Sequence, residues 1–117
     1  MLFIDPRSAV PPFEQLRVQL VEQIGDGTLA PGAKLPTVRR LAEDLGLAPN
    51  TVARTYRELE SVGLIETRGR NGSFVAPHGD PAERSAQEAA RAYADRIRQL
   101  GVDAEAALDY AAAALRG

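Results

Sequence analysis

No cysteine or tryptophan occurs in the 117 residues, and Lys34 and His78 are the single lysine and the single histidine. Lack of cysteine excludes disulfide stapling, and one histidine cannot build a Cys/His zinc cluster. No metal or cofactor is therefore expected, and the composition suits an ordinary cytoplasmic protein. Long apolar runs are also missing. The opening stretch "MLFIDPRSAVPPFEQ" meets Asp5 and Pro6 after four apolar residues, too early for a signal-peptide core, and nothing approaches membrane-spanning length. No membrane partner is expected. An excess of positive charge is lacking too, with 14 basic and 16 acidic side chains and a formal net charge of -2. A chain of this length buries one modest core, so one compact domain with an appendage is the starting expectation.

What is present is ordered by period. In "FEQLRVQLVEQI", Phe13, Leu16, Leu20 and Ile24 recur at helical spacing behind Pro11 and Pro12 and ahead of "GDG". A Pro-Gly turn at 31 to 32 leads to a short extended piece around Lys34 to Pro36. Two short helices follow, Thr37 to Leu45 and Pro49 to Val62, with Gly46 at the tight turn between them. The period then becomes extended. "LIET" and "SFV" read as strands around "RGRNG", whose Asn71-Gly72 pair is a hairpin-turn signal. Helix, helix-turn-helix and hairpin together make a winged helix over residues 1–78. The seam falls at "HGDP", where Asp80 is a candidate cap, Pro81 suits the first helical position and Glu83 completes a capping-box pattern. Beyond it, Ala86, Ala90, Tyr93, Ile97 and Leu100 alternate steps of four and three. After Gly101 and a candidate cap at Asp103, the same spacing continues through Ala104, Leu108, Ala111 and Leu115. The fold class is therefore mostly α with a small β-hairpin: a winged helix-turn-helix, then a two-helix hairpin over 79–117.

On an ideal helical wheel Val52, Tyr56 and Leu59 share one side of the second helix of the pair, and Asn50, Arg54 and Arg57 point the other way. Arginine matches guanine and asparagine matches adenine with paired donors and acceptors, and the N-terminal end of such a helix enters the major groove. The competing bland reading makes Asn50 and Thr51 a mere helix start and the arginines a solvated face. The hairpin tilts the balance towards DNA, because Arg68 and Arg70 ride a small loop whose glycines permit close approach to phosphate. Arg39 lies early in the preceding helix, where the helix N-terminus adds its own partial positive charge. The acidic total does not forbid this. Residues 34 to 73 hold seven basic against five acidic groups, whereas 79 to 117 holds five against seven, and salt screens the distant charges within about 10 Å.

The run from "PPFEQLRVQL" to "RGRNGSFV", with its "PGAKLP", "NTVARTYRELE" and "GLIE" elements, resembles the N-terminal domain of the GntR family of bacterial transcription regulators. The short two-helix tail resembles the YtrA subfamily. The resemblance covers essentially the whole chain and implies a homodimeric repressor on a palindromic double-stranded DNA operator, commonly autoregulatory and often governing a transporter operon. It implies DNA contacts at Arg39, Asn50, Thr51, Arg54, Arg70 and Gly72. With their neighbours Lys34, Thr37, Arg40, Pro49, Arg57, Arg68 and Gly69 these form the candidate DNA-binding set. The candidate dimer interface is Ala86, Ala90, Tyr93, Ile97, Leu100, Leu108, Ala111 and Leu115, since a lone two-helix hairpin has too little core and must bury its seam on a partner copy or on its own winged helix. Two departures stand out. Thr37 and Arg40 replace the family's frequent Ser and Glu, which breaks the usual capping box, and Ala48 stands where a hydroxyl or amide side chain is common.

Two competitors remain at this level. Relatives of this winged helix are fused to an aminotransferase-like domain, but such an enzyme needs several hundred more residues and a cofactor lysine, and Lys34 lies in the DNA-binding half. No catalytic set is expected. A winged helix used only for protein contacts is the alternative function. A small-molecule effector stays open as a further partner, although no residue pattern identifies one.

Overall fold

The computed structural model describes residues 2–117, which divide along the chain into two compact units between His78 and Gly79. In the first, α1 (Pro12–Gly25) opens on Pro12 at its first position, and its four-residue spacing buries Leu16, Leu20 and Ile24. Helix α2 (Val38–Leu45) is capped by Thr37, whose hydroxyl oxygen accepts the Arg40 amide at 3.1 Å. The capping box is half made: Arg40 turns its guanidinium forward to Asp44, with Nε 3.2 Å from Oδ1. Gly46, left-handed at φ 68°, ends α2 and turns the chain into α3 (Pro49–Ser61). Ala48 precedes α3 in an extended conformation and supplies no side-chain cap.

Helix α3 is the hub of this unit, packing on α1, α2 and the first wing strand. Val52, Thr55, Tyr56 and Leu59 are its buried face. Both polar members are satisfied: the Thr55 hydroxyl donates to the Thr51 carbonyl at 3.0 Å and the Tyr56 hydroxyl to the Pro36 carbonyl at 2.7 Å. The wing pairs β1 (Ile65–Thr67) antiparallel with β2 (Ser73–Val75), Ile65 opposite Val75. The segment around Lys34 joins as a third rung, with the Leu35 amide donating to Ser73 at 2.8 Å and the Val75 amide to Ala33 at 2.9 Å.

The strands bracket "RGRNG" as expected, and only the turn within it differs from one centred on Asn71-Gly72. Five residues, Arg68 to Gly72, connect the strands through a short 3-10 turn at Gly69–Asn71, closed by the Arg68 amide on the Gly72 carbonyl at 2.8 Å. Gly69 and Gly72 take positive φ and Asn71 does not. Register explains it. A two-residue turn at 71 and 72 would bring Val75 opposite Arg68, whereas burial of Ile65 and Val75 on one face demands that those two pair.

In the second unit, α4 (Pro81–Leu100) begins with the Asp80 carboxylate accepting the Glu83 amide at 2.9 Å, and α5 (Ala104–Arg116) repeats the device with Asp103 and Ala106. The helices meet where the Tyr93 hydroxyl donates to the Ala107 carbonyl at 2.7 Å. Ala107 is the one buried residue of the unit.

Candidate nucleic-acid interface

Helix α3 turns its buried face to the core and thereby sets Asn50, Arg54 and Arg57 on exposed positions opposite. Pro49 is exposed at the first helical position, while Thr51 is half-buried and lends its carbonyl to Thr55. Arg54 and Arg57, with Glu58 and Ser61, line an open cleft of about 210 Å³ along this face. Arg39 is exposed on the first turn of α2, and Lys34 is exposed beside the wing. On the tip itself Gly69 and Arg70 are exposed. Among the described residues, no hydrogen bond or ion pair engages the side chains of Lys34, Arg39, Asn50, Arg54, Arg57 or Arg70. These donors are free for an incoming acceptor.

Other candidates are already committed. Thr37 spends its hydroxyl on the α2 cap, and Arg40 is paired along its helix with Asp44. Arg68 is half-buried, ion-paired with Glu66 and set over the Phe74 ring at 5.5 Å. It anchors the wing rather than reaching outward from it. Gly72 is half-buried, and a Cβ there would lie 3.2 Å from Lys34 Cε, so the two close the tip together.

Three contacts in or beside α3 escaped sequence reasoning. Phe13, assigned by its spacing to the apolar face of α1, is half-buried and carries the Arg54 guanidinium 3.9 Å above its ring centre. Next to it, Arg17 forks onto Glu14 through Nε at 3.2 Å and through a second, shorter bond. The Arg17 hydrogen bond holds the Glu14 carboxyl below its ordinary value, and the Arg54 charge adds a smaller pull in the same direction. Finally, Glu60 Oε2 accepts the Thr67 amide at 3.1 Å, tying the end of α3 to the wing. The Phe13–Arg54 contact joins residues far apart along the chain, and no period or motif announces it.

On the two-helix unit, Ile97 and Ala111 are half-buried, whereas Ala86, Ala90, Tyr93, Leu100, Leu108 and Leu115 are exposed. Leu108 and Leu115 keep 71% and 89% of their surface in contact with solvent, an expensive placement for leucine in an isolated chain. Among the described residues no Asp, Glu or His cluster could hold a metal ion, and no helix is long and apolar enough to cross a membrane.

The model of the bacterial regulatory proteins of the gntR family matches residues 12–75 of this chain. The HTH-type transcriptional regulator Rv1152 of Mycobacterium tuberculosis is 46% identical over 109 residues, which span 93% of this chain and 89% of that protein. The HTH-type transcriptional repressor YtrA of Bacillus subtilis is 45% identical over 76 residues, covering 65% of this chain and 58% of its own length. Among solved structures, the DNA-binding domain of AraR in complex with operator ORX1 superposes with a TM-score of 0.56 at 30% identity, covering 64% of this chain and 93% of that one.

Proposed function

The chain belongs to the GntR family of bacterial regulatory proteins, as a YtrA-like DNA-binding transcription regulator and not an enzyme, and from that premise we propose that it is a homodimeric repressor of a palindromic operator. The observation that carries the reading is the outer face of α3, where Asn50, Arg54 and Arg57 are exposed with no carboxylate bonded to them. Asn50 and Arg54 read base edges in the major groove, while Arg39 and Arg70 neutralise phosphate on either side. Repression is supported by likeness to the repressor YtrA, and an operator as target by likeness to the operator-bound AraR domain. The family further implies a transporter operon as the regulated target and leaves room for a small-molecule effector.

Dimerisation belongs to α4 and α5. Exposed Leu100, Leu108 and Leu115 need a cover, and a second copy supplies an identical apolar face. Two linked half-site contacts then act at an effective concentration of roughly millimolar order, which suits a domain whose local positive excess is small.

The test is a binding series on a duplex selected from random sequence by the wild-type protein, against a scrambled duplex, across salt. Arg54→Ala should weaken the selected duplex by about 1–3 kcal/mol and relax preference at one base pair. Arg70→Ala should weaken both duplexes alike and reduce the salt slope by about one. Ile97→Asp should sediment as a monomer, keep a folded winged helix and lose most affinity for the two-half-site duplex. Equal loss on both duplexes for Arg54→Ala would remove it from base reading, and a folded Ile97→Asp dimer would move the interface elsewhere.

A further inference from the structure

We propose that Phe13 is a positioning residue for DNA recognition: its ring holds the Arg54 guanidinium by one face and leaves the donor edge directed to a guanine. The inference rests on the reading of α3 as the base-contacting helix. Its observation is the placement of Arg54 Cζ 3.9 Å over the Phe13 ring centre, with no hydrogen bond or ion pair to the Arg54 side chain among the described residues.

The geometry of the guanidinium makes this more than a packing contact. Its five N–H donors lie in the plane of the group, so an aromatic ring beneath that plane occupies none of them. A carboxylate partner would do the opposite, taking the edge that O6 and N7 of guanine require. The carboxylate nearest in sequence to Phe13 is Glu14, and its two oxygens are held by Nε and a terminal nitrogen of Arg17. Arg17 thus keeps Glu14 occupied, and the edge of Arg54 stays open.

The ring is also firmly mounted. Phe13 is the second residue of α1, one turn ahead of fully buried Leu16, and α1 packs directly on α3. A long arginine that hangs free loses its rotamer freedom on reaching a base, whereas one already stacked has lost much of it beforehand. Phe13 therefore acts before DNA arrives, and it acts through Arg54 alone.

A double-mutant cycle tests this. Wild type, Phe13→Leu, Arg54→Ala and the double variant are titrated against the duplex selected by wild type and against its scrambled form, with Phe13→Tyr as the variant that keeps the ring. Phe13→Leu should weaken the selected duplex about fivefold to tenfold, leave the scrambled one unchanged, and add nothing in the Arg54→Ala background. Phe13→Tyr should bind as wild type. Circular dichroism melts confirm that each variant is folded, and should Phe13→Leu not fold, Phe13→Met replaces it as the apolar, ring-free variant. Equal loss on both duplexes, a loss that persists without Arg54, undiminished affinity in the ring-free variant or failure of tyrosine to rescue would each overturn the proposal while leaving DNA reading intact. Selection with wild type that enriches no sequence would overturn the DNA reading and this inference with it.

Discussion

The Tyr56 hydroxyl is the most exacting point at which to disturb the winged helix. Tyr56 is 6% exposed, and its hydroxyl donates to the Pro36 carbonyl at 2.7 Å. Pro36 immediately precedes Thr37, the cap of α2, so the bond ties the start of one helix of the pair to the middle of the other. Because Pro36 is exposed, water can replace the lost donor in Tyr56→Phe, and the cost at neutral pH should be about 1 kcal/mol rather than the 1–3 of an orphaned buried acceptor. Burial pushes the Tyr56 hydroxyl up to about 12 from its ordinary 10.0. The folded chain thus holds the proton more tightly than the unfolded chain. The stability linked to Tyr56 is complete below the unfolded value and drains away as pH rises through the folded one. A difference of two corresponds to at most roughly 3 kcal/mol, of which about 1.4 is gone by about pH 11. Phenylalanine has no proton to lose. Wild type should therefore lead Tyr56→Phe by about 1 kcal/mol at pH 8, match it at about pH 10.7, and fall behind above that. Urea unfolding followed by circular dichroism at pH 8, 10 and 11.5 measures the gap, with all other alkaline titrations common to both proteins. A gap constant across that range would refute the burial argument, and no gap at pH 8 would refute the hydrogen bond.

Three further perturbations are expected to read out local devices. Ala48→Ser supplies the missing acceptor at the start of α3 and should raise stability by about 0.5–2 kcal/mol, seen as a higher Tm; an unchanged Tm would mean that solvent already satisfies those amides. Gly72→Ala places a side chain at φ 105° and ψ -161° and pushes it against Lys34, which should cost about 1–3 kcal/mol in urea unfolding, and full stability would show that the tip relaxes freely. The Asp80 carboxyl is held below its ordinary value first by the Glu83 amide, so its cap is intact above the ordinary carboxylate range and is lost as pH falls through the depressed value. Acid titration of helicity should therefore show a fraying step that Asp80→Ala lacks, and matching titrations would remove the cap from the account.

How far the molecule was legible in its residues depends on the range of each signal. The bounds of α2 and α3, the turn at Gly46 and the starts of α4 and α5 are written in neighbours: Thr37 with Arg40, Asp80 with Glu83, Asp103 with Ala106. The free face of α3 was equally plain, because burial of Val52, Tyr56 and Leu59 compels Asn50, Arg54 and Arg57 to the other side. At the wing the strands and their five-residue connection were legible too, and only the turn inside it was not: Gly69 and Gly72, rather than Asn71, take positive φ to suit the pairing of Ile65 with Val75.

Among the arginines, residue type alone made them equivalent donors of positive charge. Helical spacing pairs Arg40 with Asp44, whereas the closed fold commits Arg68 to Glu66 and Phe74 on the wing and Arg54 to a ring on α1 that leaves its donors free. The sequence by itself determined the helices, their caps, the apolar face that each must bury and hence which side of α3 is exposed. These follow from hydrogen bonds and side-chain periods spanning a few residues. Only the fold decided which exposed cation can still accept a partner, because that depends on what α1 and the strands bring within reach once the core has closed.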